Sequence, residues 1–190
     1  ESIIVDFMAH FGRILEIESD FCVVEPGVYF RDLEKGLDAK GLLFPSYPAS
    51  KDLCALGGMI ANNAGGEKTL QYGKTDKFVE ELNIVFADGK EYVVKPLNKD
   101  ELTEKVSQKD FEGNVYREVY RLLTTDYSQL QKSRPQVSKN SSGYNIWDIY
   151  DPEAKIFDLT KLIVGSQGTL GLVTKIKLKL VPKKKLEKLY

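Results

Sequence analysis

Residues 56–73, LGGMIANNAGGEKTLQYG, constrain this chain more than any other stretch. Two glycine pairs flank two asparagines there, and a Tyr-Gly step closes the run. Glycine pairs let the backbone turn through positive φ and let another group lie directly on the amides, with no Cβ in the way. Asn62 and Asn63 add amide donors and acceptors to the same bare patch. Such chemistry suits a large ligand with a planar part and phosphates better than a metal or a peptide. A second glycine-rich turn, residues 165–171 (GSQGTLG), lies far downstream and leads into a strand. The expectation is that the two turns meet around one cofactor.

Bulk properties narrow the class. The chain has 190 residues, 42% hydrophobic and 29% charged, with a formal net charge of -1. That is enough for one sizeable core or two small lobes, and the balanced charge argues against a general nucleic-acid binder. The basic run at residues 183–185 reads as a solvated tail, with a membrane or partner patch as the alternative. No apolar run is long enough to cross a bilayer, and no signal peptide stands at the start. Cys22 and Cys54 lack CxxC spacing and His10 is the sole histidine, so neither a metal site nor a Ser-His triad is expected. Two ordinary buried thiols point to a reducing compartment and a cytoplasmic protein, with peripheral contact to a membrane left open. The sequon Asn140-Ser141-Ser142 is taken as chance. Both ends read as cut: Ile3-Ile4-Val5 already resembles a strand, and the chain stops after a strand and a lysine run.

Along the chain, residues 2–7, 14–17 and 21–24 are β-branched or apolar runs that read as strands. Residues 29–39 carry Phe30, Leu33 and Leu37 at helical spacing, with Gly41 placed to cap the end. Pro45 and Pro48 stiffen residues 43–50 into an extended loop, either a plain connection or one wall of a pocket, and Ser50 is placed to cap the next short helix. Residues 78–86 and 91–94 read as a hairpin turned by two residues, Asp88-Gly89. Residues 100–132 are polar and poor in β-branched runs; Val115, Val119, Leu122 and Leu123 predict an amphipathic helix over 114–125, with the tyrosines packing. In the loop 133–150, Arg134 and Lys139 could hold an anion and Tyr144 and Trp147 could cover a ring, against a plain solvated loop. Residues 173–181 alternate cleanly, Ile176, Leu178 and Leu180 against Lys175, Lys177 and Lys179, as a half-buried strand does.

Two familiar phosphate motifs fail on spacing. Six residues separate Gly66 from Gly73 ahead of Lys74-Thr75, where a P-loop needs four. Gly165, Gly168 and Gly171 are spaced three and three, not the two and three of a dinucleotide fingerprint. What does match is FPSYPASKDLCALGGMIANNAGG with YGKT, followed by the hairpin and then by GSQGTLGLVTKIKLKLVP. In this order they resemble the FAD-binding domain of the vanillyl-alcohol oxidase / p-cresol methylhydroxylase flavoproteins, in the branch that holds the flavin chain of glycolate oxidase, D-lactate dehydrogenase and D-2-hydroxyglutarate dehydrogenase. The resemblance covers most of the chain and is weakest over residues 100–132.

The resemblance implies an α+β fold: the second lobe of the FAD-binding domain, an antiparallel-rich mixed sheet flanked by helices, with a helical insert at residues 98–133. It implies FAD contacts at Pro45, Pro48 and Ser50, then at Leu56, Gly57 and Gly58 through backbone amides. Asn62, Asn63, Ala64, Gly65 and Gly66 continue that wall, Tyr72 and Gly73 close it, and Gly168, Leu170, Gly171 and Val173 form the second contact. The first lobe, with the diphosphate loop, and the C-terminal cap domain are absent from residues 1–190. Gln167 stands where a glutamate is more usual. The implied activity is oxidation of a small 2-hydroxy acid by hydride transfer to the flavin, with this segment inactive by itself. Arg134 and Lys139 are candidates for the substrate carboxylate. The electron acceptor would be a quinone, an electron-transfer protein or an iron-sulfur subunit. The alternative is a non-catalytic nucleotide-binding or protein-interaction module that keeps the flavin fold as scaffold.

Overall fold

The computed structural model describes residues 4–137, 140 and 142–184, so the expectations placed on Ser2, Ile3, Lys139, Ser141 and Lys185 lie outside the described residues. In chain order the strands are β1 (Ile14–Ile17), β2 (Phe21–Val24), β3 (Leu42–Leu43), β4 (Val79–Val85), β5 (Glu91–Val94), β6 (Pro96–Leu97), β7 (Tyr150–Asp151), β8 (Ile156–Asp158), β9 (Leu172–Lys179) and β10 (Val181–Pro182). The helices are α1 (Phe30–Ala39), α2 (Leu56–Ala61), α3 (Thr69–Tyr72), α4 (Lys99–Ser107), α5 (Phe111–Thr125), α6 (Tyr127–Lys132) and α7 (Thr160–Ile163).

Strand β9 is the centre of the main sheet, and its C-terminal half alternates apolar residues with lysines. Ile176 and Leu178 are wholly buried, while Lys177 on the opposite face lies 4.1 Å over the Phe21 ring and 3.5 Å from the Glu80 carboxylate. The five strands run in the order β1-β2-β9-β4-β5, and every pairing among the described strands is antiparallel. The buried face of this sheet carries Cys22, Val24, Leu82, Ile84 and Val94. Burial alone pushes the Cys22 thiol up to about 12, and it also raises the half-buried Cys54; both thiols are free. Helix α1 packs Phe30, Leu33 and Leu37 inward and ends at Gly41, whose φ of +67 admits the left-handed closing turn.

Four local features differ from expectation, each for a visible reason. Residues 4–7 form no strand: they pair with no other strand among the described residues. Ser50 does not cap α2: it closes a turn (Leu53 N to Ser50 O, 2.9 Å), and α2 begins beyond it with Ala55 at its N-cap. The hairpin loop is three residues long, with Gly89 at φ +78 and bonds from Gly89 N to Phe86 O (3.0 Å) and Phe86 N to Lys90 O (3.1 Å); this is a type I turn closed by a left-handed glycine. Helix α5 starts at Phe111 because the Asp110 carboxylate accepts from Gly113 N (2.9 Å). On α5, Tyr116 takes the core position and Leu122 is 64% exposed.

Residues 99–132 are helical throughout apart from short turns, and α4 opens with a capping box in which Asn98 and Glu101 satisfy each other's backbone amides. The spacing Asn98-x-x-Glu101 is the sequence signal for this start.

Candidate functional site

The two glycine-rich turns meet. Gly165 N donates to Ile60 O (2.9 Å), Gln167 N donates to Ala61 O (2.9 Å), and Gln167 Nε2 reaches Asn62 Oδ1 (3.1 Å). The C-terminal end of α2, whose last carbonyls would otherwise lack partners, is thus capped by a segment about a hundred residues away. Asn63 (φ +46), Gln167 (φ +57) and Gly165 (φ +91) all adopt left-handed backbone at this junction. Asn63 is held there by its own side chain, whose Oδ1 accepts from Asp76 N (3.0 Å). Non-glycine residues take such angles at a cost, so the junction is set by the contacts around it.

The junction has two faces. One opens on an apolar cleft of about 550 Å³, lined by Gly57, Gly58, Ile60, Gly168, Gly171 and Val173, together with Leu172 and residues 4–8. This volume falls within the range of about 300–1,000 Å³ usual for small-molecule sites. The far wall is held by the turn at Glu25-Pro26-Gly27: Gly27 N donates to Phe11 O (2.8 Å), and a Cβ on Gly27 would sit 2.6 Å from Phe7 O. Arg13 clamps the same turn, its guanidinium on Glu25 Oε1 (2.7 Å) and its amide on Glu25 Oε2 (2.8 Å). These hydrogen bonds hold the nearly buried Glu25 carboxyl below its ordinary range, against the opposing effect of burial.

At the start of α2 the amides of Leu56 and Gly57 are spent on Val28 O (2.9 Å) and Pro26 O (2.8 Å). The Gly58 amide has no acceptor among the described residues, and a Cβ added at Gly58 would meet nothing within 4 Å. Gly168, at φ +74, is equally bare on the facing side. Two open amides across an apolar cleft can receive a flat ring with carbonyl edges, such as the isoalloxazine that the resemblance implies. The described residues lining the cleft include no Lys or Arg, so its donors are backbone amides.

The other face borders a polar cavity of about 280 Å³ lined by Asn62, Asn63, Gly73, Lys74, Lys77 and Arg134, with Asp76, Trp147 and Asp148. Arg134 is paired to Asp148 (2.9 Å), Trp147 is fixed by its indole N–H on Leu130 O (3.0 Å), and Tyr144 bonds the Thr169 hydroxyl (2.8 Å).

The expected contact residues therefore divide. Gly57, Gly58, Gly168, Gly171 and Val173 border the apolar cleft; Asn62, Asn63, Gly73 and Arg134 border the polar cavity. Pro45, Pro48, Ser50, Leu56, Ala64, Gly65, Gly66, Tyr72 and Leu170 border neither. Pro45 lies in a buried loop whose Phe44 and Tyr47 pack on Phe78 and Phe30 (ring centroids 5.7 and 5.3 Å). Ala64 is a polar hub: its carbonyl accepts from Thr75 N, Thr75 Oγ1 and Ser46 Oγ at 3.0, 2.8 and 2.9 Å. A Cβ on Gly65 would sit 2.6 Å from Thr69 Oγ1, and one on Gly66 would overlap Tyr47 O. Sequence reasoning does not single out Lys77 or Asp76 as site residues; the charge pattern of GKTDK directly after the glycine run is the available signal. Among the described residues no cluster of His, Cys, Asp and Glu could hold a metal, and no helix is long and apolar enough to cross a membrane.

The family model described as an FAD binding domain matches residues 1–95 of the 190. D-2-hydroxyglutarate dehydrogenase of Escherichia coli (strain K12) is 32% identical over 94% of this chain and 18% of its own length. Glycolate oxidase subunit GlcD of Bacillus subtilis (strain 168) is 29% identical over 94% of this chain and 27% of its own. D-lactate dehydrogenase of Anaerostipes hadrus is 28% identical over 90% and 25% respectively. The chain thus spans between 18% and 27% of these relatives. Among solved structures, alkyldihydroxyacetonephosphate synthase superposes with a TM-score of 0.53 at 16% identity, covering 91% of this chain and 22% of that one; this likeness concerns the fold.

Proposed function

The chain belongs to the family of FAD binding domains, and from this premise we propose that it is the second lobe of a flavin-dependent 2-hydroxy-acid dehydrogenase. A first lobe carrying the diphosphate loop and a cap domain complete the whole protein, and residues 98–133 are a helical insert. The observation that carries the reading is the meeting of the two turns, which sets the bare Gly58 and Gly168 amides across one apolar cleft. FAD, when bound, supplies a ring nitrogen that accepts hydride from the α-carbon of a glycolate-, D-lactate- or D-2-hydroxyglutarate-like substrate.

This chain's part is to bind and orient. Gly57, Gly58, Gly168, Gly171 and Val173 line the ring's pocket, with Leu56 behind them. Asn62, Asn63 and Gly73 present polar edges from the other face. Pro45, Pro48, Ser50, Ala64, Gly65, Gly66, Tyr72 and Leu170 support the cradle. Arg134 and Lys139 help to hold the substrate carboxylate, and electrons leave to a quinone, an electron-transfer protein or an iron-sulfur subunit. The whole protein works in the cytoplasm, in peripheral contact with a membrane if its acceptor is there.

The test is to purify the full-length protein and measure FAD released per chain on denaturation. The expected result is close to one FAD per chain. A colourless protein that stays colourless after incubation with FAD would favour a non-catalytic module built on the same fold.

A further inference from the structure

We propose that the polar cavity behind the two-turn junction is a carboxylate site whose charge comes from Lys74 and Lys77. The carboxylate's identity as the end of a 2-hydroxy acid rests on the function proposed above; the cavity and its cations do not.

The glycines make room for both lysines. A Cβ on Gly73, which sits at φ +87, would lie 2.9 Å from Lys77 Cγ, and one on Gly65 would lie 3.3 Å from Lys74 Cγ. The missing side chains leave room for the two stems beside the backbone; both residues line the cavity, and the Lys74 ammonium reaches Asn140, which lines it too. Gly65 and Gly73 thus also position cations.

Charge accounting singles out these two. Arg134 is neutralised by Asp148 at 2.9 Å, and Lys161, outside this cavity, is occupied by Asp158 (3.4 Å) and the Asp76 carbonyl. Lys74 donates to a neutral backbone carbonyl, Asn140 O (2.7 Å), which orients it without cancelling its charge. Among the described residues no carboxylate lies within ion-pair distance of Lys74 or Lys77. Among the described residues three cations line the cavity against the carboxylates of Asp76 and Asp148, leaving one positive charge over. Asn62 has given its Oδ1 to Gln167, so its amide nitrogen remains as a neutral donor at the same wall. One surplus charge with a neutral donor matches a single carboxylate, bound by charge-assisted hydrogen bonds.

The test uses the full-length protein and oxamate, a small monocarboxylate that cannot be oxidised as a hydroxy acid, titrated calorimetrically. Lys77 is exposed, so Lys77→Met does not threaten the fold. Wild type should bind oxamate, Lys77→Met should bind it about tenfold or more weakly, and Lys77→Arg should stay within about threefold. FAD content should be the same in all three. Oxamate affinities of wild type and Lys77→Met within about twofold would overturn the proposal, as would wild type that binds inorganic phosphate but not oxamate. A wild type without FAD whose oxamate binding still falls in Lys77→Met would leave the carboxylate site standing and remove the flavin reading.

Discussion

Gly57-Gly58 and Gly65-Gly66 look interchangeable in the sequence, yet the missing side chains serve different ends. Gly57 is pressed on Pro26, where a Cβ would sit 2.7 Å from the proline Cβ, while Gly58 beside it faces open cleft. Gly65 and Gly66 both face protein, the first the Thr69 hydroxyl and the second the Tyr47 carbonyl. Gly66 N also donates to Thr69 Oγ1 (2.8 Å), tying the second pair into its own turn. A glycine's role is set by what occupies the place its Cβ would take. In this stretch only Gly58 answers with empty space on a cleft; the other three answer with packing.

That contrast breaks most visibly at Gly66. Gly66→Ala should destabilise the fold by about 3 kcal/mol, the upper end for overpacking, because the obstructing atom is a backbone carbonyl that no rotamer change can move. Urea unfolding of the full-length protein checks this, and a midpoint equal to wild type would show that the two pairs are not distinct.

A smaller effect sharpens the first pair's side. Gly57 depends on the Glu25-Pro26-Gly27 turn, and Arg13 fixes that turn. The Glu25 carboxyl is held low by its hydrogen bonds to Arg13, so its contribution is complete above the ordinary carboxylate range and is lost as pH falls through the lowered value. Arg13→Ala removes the guanidinium, the largest lowering influence, and keeps only the amide bond from that residue, so the Glu25 carboxyl rises from its lowered value. Acid unfolding, followed by circular dichroism, should then begin at higher pH than in wild type. An unmoved acid transition would mean that Arg13 does not govern the turn.

Local patterns carried most of the fold. Helix α1 and strand β9 followed from periodicity, and the Asp88-Gly89 turn from its residue types, because each depends on neighbours within a few positions. The loop count at that turn did not follow, since the same Asp-Gly step serves a two-residue turn or a type I turn with a left-handed glycine. Helix α2 starts without a side-chain cap because its first amides are taken by Pro26 and Val28, partners no local pattern reveals. At the site, the convergence of the glycine turns was legible from their composition. The division into an apolar and a polar face was not, because it depends on which side of residues 60–63 and 164–168 each side chain emerges. The role of Gly66 was equally hidden: its neighbour Tyr47 lies far back in the sequence, in a proline loop that packs inward.

The central claim is that a bare amide at Gly58 meets the flavin. The measurement is FAD per folded chain in full-length Gly58→Val. A Cβ added at Gly58 meets nothing within 4 Å, and valine is no worse a helix former than glycine, so unfolding in urea should stay within about 1 kcal/mol of wild type. Flavin content should nevertheless fall severalfold or more, since the valine would fill the place reserved for the ring. A Gly58→Val protein that keeps its full complement of FAD would contradict the claim and leave Gly58 as one more turn residue.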